Sequence, residues 1–187
     1  MPSLDKTIFS SIKEDISGYK TFVETGTLYG DTMNNMAGLF DKLYSIEIDK
    51  VLYDKAKQKF SDHSKMEFIH GDSSIELKEL IGNLKSNTVF FLDGHYSAGV
   101  TSYGIKHVPL YEELSSIEKL FSHNAIIIID DVRLFGKFNG GKCDWRDINI
   151  KNCLEILKDR MNLHYFLPSK LNKNDRLIIH LNRIPNH

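Results

Sequence analysis

The stretch FFLDGHYSAGVTSYG, residues 90–104, begins as a buried strand and ends as something else. Phe90, Phe91 and Leu92 run straight into Asp93, Gly94, His95 and Tyr96. A carboxylate and an imidazole at the mouth of an apolar strand are either a catalytic ledge or a polar turn leaving the core. The rest of the chain bears on the choice, because the pattern recurs. Strands read at 20–24, 42–48, 66–70, 87–93 and 124–130 end at or just before Glu24-Thr25-Gly26-Thr27, Glu47-Ile48-Asp49, Gly71-Asp72-Ser73, Asp93-Gly94-His95 and Asp130-Asp131. One such end means little, since a strand must finish in something polar. Five acidic ends on one rim repel one another, which is unfavourable without a ligand or cation.

Between the strands lie stretches with helical spacing, at 30–40, 50–60, 73–84 and 108–121, with a further helix near 147–160. In the 73–84 segment Ile75, Leu77, Leu80, Ile81 and Leu84 are read as the inner face. Two last strands, 163–168 and 175–182, are separated by the polar SKLNKN turn. The strand NAIIIID is almost wholly apolar, as suits a strand covered on both faces. Five βα units and a C-terminal antiparallel strand pair predict an α/β, Rossmann-like, seven-stranded and mostly parallel sheet with helices on both faces. No linker or composition break divides the chain, so one domain over 1–187 is expected. A short N-terminal helix is read at about 4–17; it could cover the cleft or contact a partner.

Composition narrows the partners. Twenty-four basic against 25 acidic side chains leave no global field for nucleic acid or an acidic membrane. Neither Cys143 nor Cys153 belongs to a C-x-x-C pair, so both are read as reduced thiols of a cytoplasmic protein. The N-terminus lacks the apolar core of a signal peptide, and the longest apolar run, AIIII, is too short to span a bilayer. The oligomeric state stays open, a homodimer included.

The first turn, FVETGTLYGDT, has Gly26 directly after a strand and Gly30 where a helix begins. Glycine lets backbone amides approach a ligand, and a helix start favours a carboxylate or phosphate. The turn is neither G-x-G-x-x-G nor a phosphate-binding P-loop, and Glu24 beside it discourages a pyrophosphate and suits a cationic ligand. Glu47, ending the second strand, is placed to accept from both hydroxyls of a ribose. Asp49 reads as a helix cap; Asp72 and Ser73 read either as a cap or as neighbours of an adenine.

The succession ETGTLYG, YSIEID, HGDSS, FFLDGH and IIIIDD resembles class I S-adenosylmethionine-dependent methyltransferases. Within them the likeness is to small-molecule and sugar O-methyltransferases of the macrocin type, and more distantly the catechol type. It covers residues 20 to about 135, the last helix and strands completing the sheet. The resemblance implies S-adenosylmethionine as cofactor, with Glu24 and Gly26 on its methionine end, Glu47 on the ribose and Asp72 with Ser73 on the adenine. Thr25, Thr27, Gly30 and Asp93 complete the cofactor-binding candidates.

Methyl transfer to a hydroxyl requires an aligned oxygen and removal of its proton. His95, with an ordinary pKa of ~6.5, is the candidate base or orienting group, with Asp93 beside it. Asp93, Asp130 and Asp131 are also candidates to bind Mg2+ or another divalent cation, matching one acid after the fourth strand and a pair after the fifth in metal-dependent relatives. The catechol-type lysine just beyond the fourth-strand acid is missing here, which leaves the base open. Tyr96 and Tyr103 in the long 97–107 segment are candidates to contact a small-molecule or sugar acceptor. Arg133 either neutralises the acidic pair or clamps an anionic acceptor. The rivals are a catalytically silent nucleotide-binding or interaction module, and a dinucleotide-dependent oxidoreductase, which lacks its third glycine here. Charge balance and the 187-residue length argue against a nucleic-acid acceptor.

Overall fold

A computed structural model of the chain describes residues 3–95, 108–138 and 143–185. Its strands are β1 (Thr21–Thr25), β2 (Lys42–Glu47), β3 (Met66–His70), β4 (Thr88–Leu92), β5 (Ala125–Ile129), β6 (Met161–Leu167) and β7 (Arg176–Leu181). They form one seven-stranded sheet in the order β3-β2-β1-β4-β5-β7-β6. The first five are parallel; β7 runs antiparallel between β5 and β6. The helices are α1 (Asp31–Met36), α2 (Lys50–Lys59), α3 (Ser73–Ile81), α4 (Leu110–Leu120) and α5 (Ile150–Ile156).

Strand side chains alternate between two apolar layers, which is why these strands read as unbroken apolar runs. Val23, Phe90, Leu92, Ile127, Ile129 and Ile179 pack with Leu77 and Ile81 of α3, Leu114 and Ile117 of α4, and Cys153 of α5. Phe22, Leu43, Val89, Phe91, Ile126, Ile128 and Ile178 face the other way, against Met33 and Met36 of α1 and Leu4, Ile8 and Ile12 of the N-terminal segment. With both faces sealed, the polar chemistry is confined to the strand ends. Among the described residues no helix is long and apolar enough to cross a membrane.

Three expectations are corrected. Ile75 is 48% exposed, not on the inner face. At about 100° per residue it lies roughly 200° from Leu77, whereas Leu80, Ile81 and Leu84 follow Leu77 at three, four and seven residues. The N-terminal helix read at 4–17 is instead two 3-10 turns, Lys6–Ser11 and Ile16–Gly18. Asp5 accepts from the Thr7 amide at 2.8 Å and Asp15 from the Ser17 amide at 2.9 Å. Such local side-chain bonds compete with α-helix propagation. The segment is fastened at both ends nonetheless: the Leu4 amide donates to Thr32 Oγ1 at 3.1 Å, and Glu14 Oε2 lies 2.5 Å from His180 Nδ1 on β7. The final helix is shorter than the 147–160 reading, starting where Asn149 caps it by accepting from the Asn152 amide.

Phe90 is fully buried and meets Phe121 edge-to-face at 5.1 Å. Phe90→Ala is expected to cost about 3–5 kcal/mol in urea unfolding with an unchanged slope. A loss under about 1 kcal/mol would contradict this packing.

Candidate active site

Gly26 leaves β1 at φ +85°, and its amide donates to Ile46 O at 2.9 Å. A Cβ there would stand 2.7 Å from Asp93 O, so the turn is laid directly against the end of β4. Gly30, at φ +72°, opens α1 against the Phe60 ring, where a Cβ would meet the ring at 2.5 Å. Only glycine reconciles these dihedrals with such approach.

Beneath this turn Glu24 is 1% exposed and accepts from Ser45 Oγ at 2.6 Å; Ser45 Oγ in turn lies 2.6 Å from Thr27 Oγ1. Burial, with Glu47 alongside, pushes the Glu24 carboxyl up to about 8. Glu47 accepts the Leu28 and Asp49 amides, each at 2.9 Å, and burial still raises its pKa above the ordinary range. The Thr27 backbone also bonds this carboxylate, which leaves one of its four lone-pair sites for a ligand hydroxyl. Leu28, drawn onto Glu47, sits at φ +50°, a strained conformation for a side-chain-bearing residue. Asp49 caps α2 through the Val51 and Leu52 amides, and Asp72 caps α3 through the Ser74 amide. Thr25 Oγ1 accepts from the Gly94 amide at 3.2 Å.

At the neighbouring strand ends the imidazole of His95 is sandwiched between acids. Its Nδ1 lies 3.4 Å from Asp93 Oδ1 and its Nε2 3.3 Å from Asp131 Oδ2. Both oxygens are buried and neither approach has hydrogen-bond alignment. Trp145 meets the imidazole edge-on at 4.9 Å and stacks on Phe135 at 5.7 Å. Burial lowers the pKa of His95, opposed by Asp131, so the ring is held neutral. Burial and the neighbouring Asp130, Asp131 and Glu24 hold Asp93 well above the usual carboxylate range. Asp131 adopts a left-handed φ of +61°, which aspartate tolerates better than most residues.

The three carboxylates expected to share a cation are treated differently by their surroundings. Arg176 Nε approaches Asp130 Oδ1 at 3.3 Å. Asp130 also accepts from the Asp131 amide at 3.0 Å, and burial pushes its carboxyl up to about 6. Asp93, His95 and Asp131 each offer a ligand atom within 4.8 Å of the others. That oxygen–nitrogen set fits a divalent cation. Arg133 Nη1 donates to Asp131 Oδ1 and, at 2.7 Å, to Asp175 Oδ2. Its guanidinium neutralises acids. Tyr96, Tyr103 and the 97–107 segment lie outside the described residues.

Sequence reasoning passed over Glu113, Asp175 and Arg176. Glu113 is 1% exposed, and burial pushes its carboxyl up to about 7, opposed by the Ser73 and Thr25 hydroxyls. It sits on the buried stripe of α4 with Leu110, Leu114 and Ile117, so an acid in an apolar helical repeat was the available signal. Asp175 and Arg176 are separated from the rim by more than 40 residues and announce nothing locally.

No protein-family model matches the chain, and no curated protein does. Solved structures do. An O-methyltransferase from Bacillus cereus in complex with SAH aligns over 90% of this chain and 76% of its own, at 18% identity and a TM-score of 0.58. The N-methyltransferase NodS from Bradyrhizobium japonicum WM9 aligns over 89% and 88%, at 12% identity and 0.55. An rRNA methylase from Streptococcus thermophilus aligns over 90% and 89%, at 16% identity and 0.51. The chain has the class I methyltransferase fold. That fold carries oxygen, nitrogen and RNA acceptors alike in these neighbours, so it does not choose among them.

The raised carboxyls make the ligand-free protein pH-sensitive. Between the ordinary carboxylate range and about 8, folded Glu24 retains a proton that the unfolded chain has lost, so stability falls as pH rises. His95 works oppositely, but only below its ordinary ~6.5. The Tm is therefore expected to decline from about pH 6.5 to 8, and Glu24→Gln to flatten that decline. A Tm rising over this window would refute the protonated Glu24.

Proposed function

We propose that this chain transfers a methyl group from S-adenosylmethionine to a hydroxyl of a small molecule or sugar, with residues 1–187 acting as one methyltransferase-like domain. One juxtaposition carries this reading. Glu24 is buried beneath a glycine turn with no basic side chain bonded to it among the described residues, and beside it His95 stands between Asp93 and Asp131. An uncompensated buried acid fits a cationic ligand, and a neutral buried imidazole fits a proton acceptor.

Gly26 and its neighbours Thr25, Thr27 and Gly30, with Glu24, would hold the amino-acid end of the cofactor. Glu47 would hold the ribose, with Asp72 and Ser73 at the start of α3 beside the adenine. When bound, S-adenosylmethionine supplies an electrophilic methyl group on a cationic sulfur. The remaining work falls to the chain. Arrival of positive charge favours ionised Glu24, releasing its proton. An acceptor hydroxyl entering between Asp93, His95 and Asp131 gives its proton to His95. The imidazolium then faces Asp131 at 3.3 Å and Asp93 at 3.4 Å, and its positive charge favours ionisation of the Asp93 carboxyl that burial had kept protonated.

A divalent cation is the second reading, favoured by the grouping of Asp93, His95 and Asp131. These residues would hold it, and the ion would lower the acceptor's pKa as a Lewis acid. In that case His95 is a ligand and the proton leaves by another route.

Calorimetry with S-adenosylhomocysteine, run with Mg2+ and again with EDTA, tests the cofactor; no heat of binding in either buffer for folded protein would overturn the reading. His95→Ala is expected to lower turnover of hydroxylated acceptors by about a hundredfold or more while cofactor affinity stays within a few-fold. Undiminished turnover in that variant would remove His95 from the chemistry. Loss of activity on EDTA treatment alone would select the metal reading.

A further inference from the structure

Behind the site lies a recess with room for about one water-sized group. Its walls include Leu92, Val108 and Ile129, and His95 stands on its margin. Five polar residues line it: Asp93, His95 and Asp130 of the candidate site, together with Glu113 of α4 and Trp145. The last two are 1% and 3% exposed, and both Glu113 Oε1 and Trp145 Nε1 are buried without a hydrogen-bond partner among the described residues. Asp93 Oδ1, on the same recess, is a third such atom; buried polar groups are almost always paired, so these orphans on one small recess point to an occupant.

Their chemistry narrows that occupant. The indole N–H can only donate, so it requires an acceptor atom. The Glu113 oxygen requires a donor, and repels an anion when ionised. A carboxylate ligand meets Glu113 badly, an ammonium has no lone pair for the indole, and a methyl group answers neither. A hydroxyl answers both, its proton going to Glu113 and its oxygen accepting from Trp145. Its size also matches the recess.

We infer that this recess seats a non-reacting hydroxyl of the methyl acceptor, held by Glu113 and Trp145, so that the acceptor is a compound with at least two hydroxyls. One hydroxyl enters the recess and another is presented at His95, which lines the same wall. The inference rests on the methyltransferase reading for the word acceptor; the seat itself does not. A site built to hydrogen-bond a hydroxyl rejects the analogue without it, because its buried polar groups are then left unpaired. Glu113 and Trp145 are thereby specificity-determining residues of the acceptor site.

Trp145 is the only tryptophan, so its indole N–H gives one resolvable NMR signal that reports on the seat. The 15N-labelled protein is titrated with cis-1,2-cyclohexanediol, with its monomethyl and dimethyl ethers, and with cyclohexanecarboxylate. The diol is expected to move the indole signal saturably. The dimethyl ether and the carboxylate should bind at least about tenfold more weakly, and Glu113→Gln should weaken the diol by about tenfold. Trp145→Phe keeps the ring between His95 and Phe135 but removes the N–H. Diol affinity by calorimetry should fall similarly in that variant, which covers the case in which Glu113→Gln does not fold. An indole signal indifferent to the diol, or held by solvent water that no probe displaces, would overturn the seat, as would equal response to the dimethyl ether. Cofactor calorimetry separates the two ideas: S-adenosylhomocysteine binding with a silent indole removes the seat alone. A responsive indole without cofactor binding supports the seat and removes methyl transfer.

Discussion

Carboxyl groups forced out of water at the ends of parallel strands are the constraint on which the rest of this structure turns. A sheet sealed on both faces offers polar groups nowhere to go except its rim, and here Glu24, Glu47, Asp93, Asp130 and Glu113 meet there with pKa values raised chiefly by burial. Some of that cost is offset locally. Glu47 draws in the amides of the first turn, Arg176 faces Asp130, and Arg133 bridges Asp131 to Asp175. Among the described residues Glu24, the facing oxygens of Asp93 and Asp131, and Glu113 Oε1 have no such cation.

The backbone records the same tension. Leu28 and Asp131 are the side-chain-bearing residues with left-handed φ among those described, and each lies beside one of these carboxyls. Leu28 is held by its amide's bond to Glu47, while Asp131 is held by Arg133 and by the first turn of the Val132–Leu134 helix. Local strain that persists must be over-determined by its surroundings, and here the surroundings are electrostatic.

How far the sequence could be read follows from the range of each interaction. The strands and the polar rim were legible because burial on both faces writes itself into contiguous apolar runs, and the caps at Asp49 and Asp72 because capping is local. His95 and Asp93 were legible for the same reason, two residues apart at one strand end. The N-terminal segment was misread because the competition between helix and Asp–Ser turns is decided by small local energies. The pairing of Asp130 with Arg176 joins residues 46 apart, and nothing near either one signals it. Glu113 was hidden differently: on a helix its carboxyl reads as surface until the neighbouring positions are known to be buried.

The two halves of the rim therefore carry different kinds of information. The turns after β1, β2 and β3 are built from glycine dihedrals, caps and backbone amides. The ends of β4 and β5, with α4 and the Trp145 segment, are built from side chains reaching in from distant positions. Such contacts drift freely once the fold is secure, which is consistent with neighbours at 12–18% identity named for O-, N- and RNA methylation. In that second half the facing oxygens of Asp93 and Asp131, Glu113 Oε1 and Trp145 Nε1 are buried without a hydrogen-bond partner among the described residues.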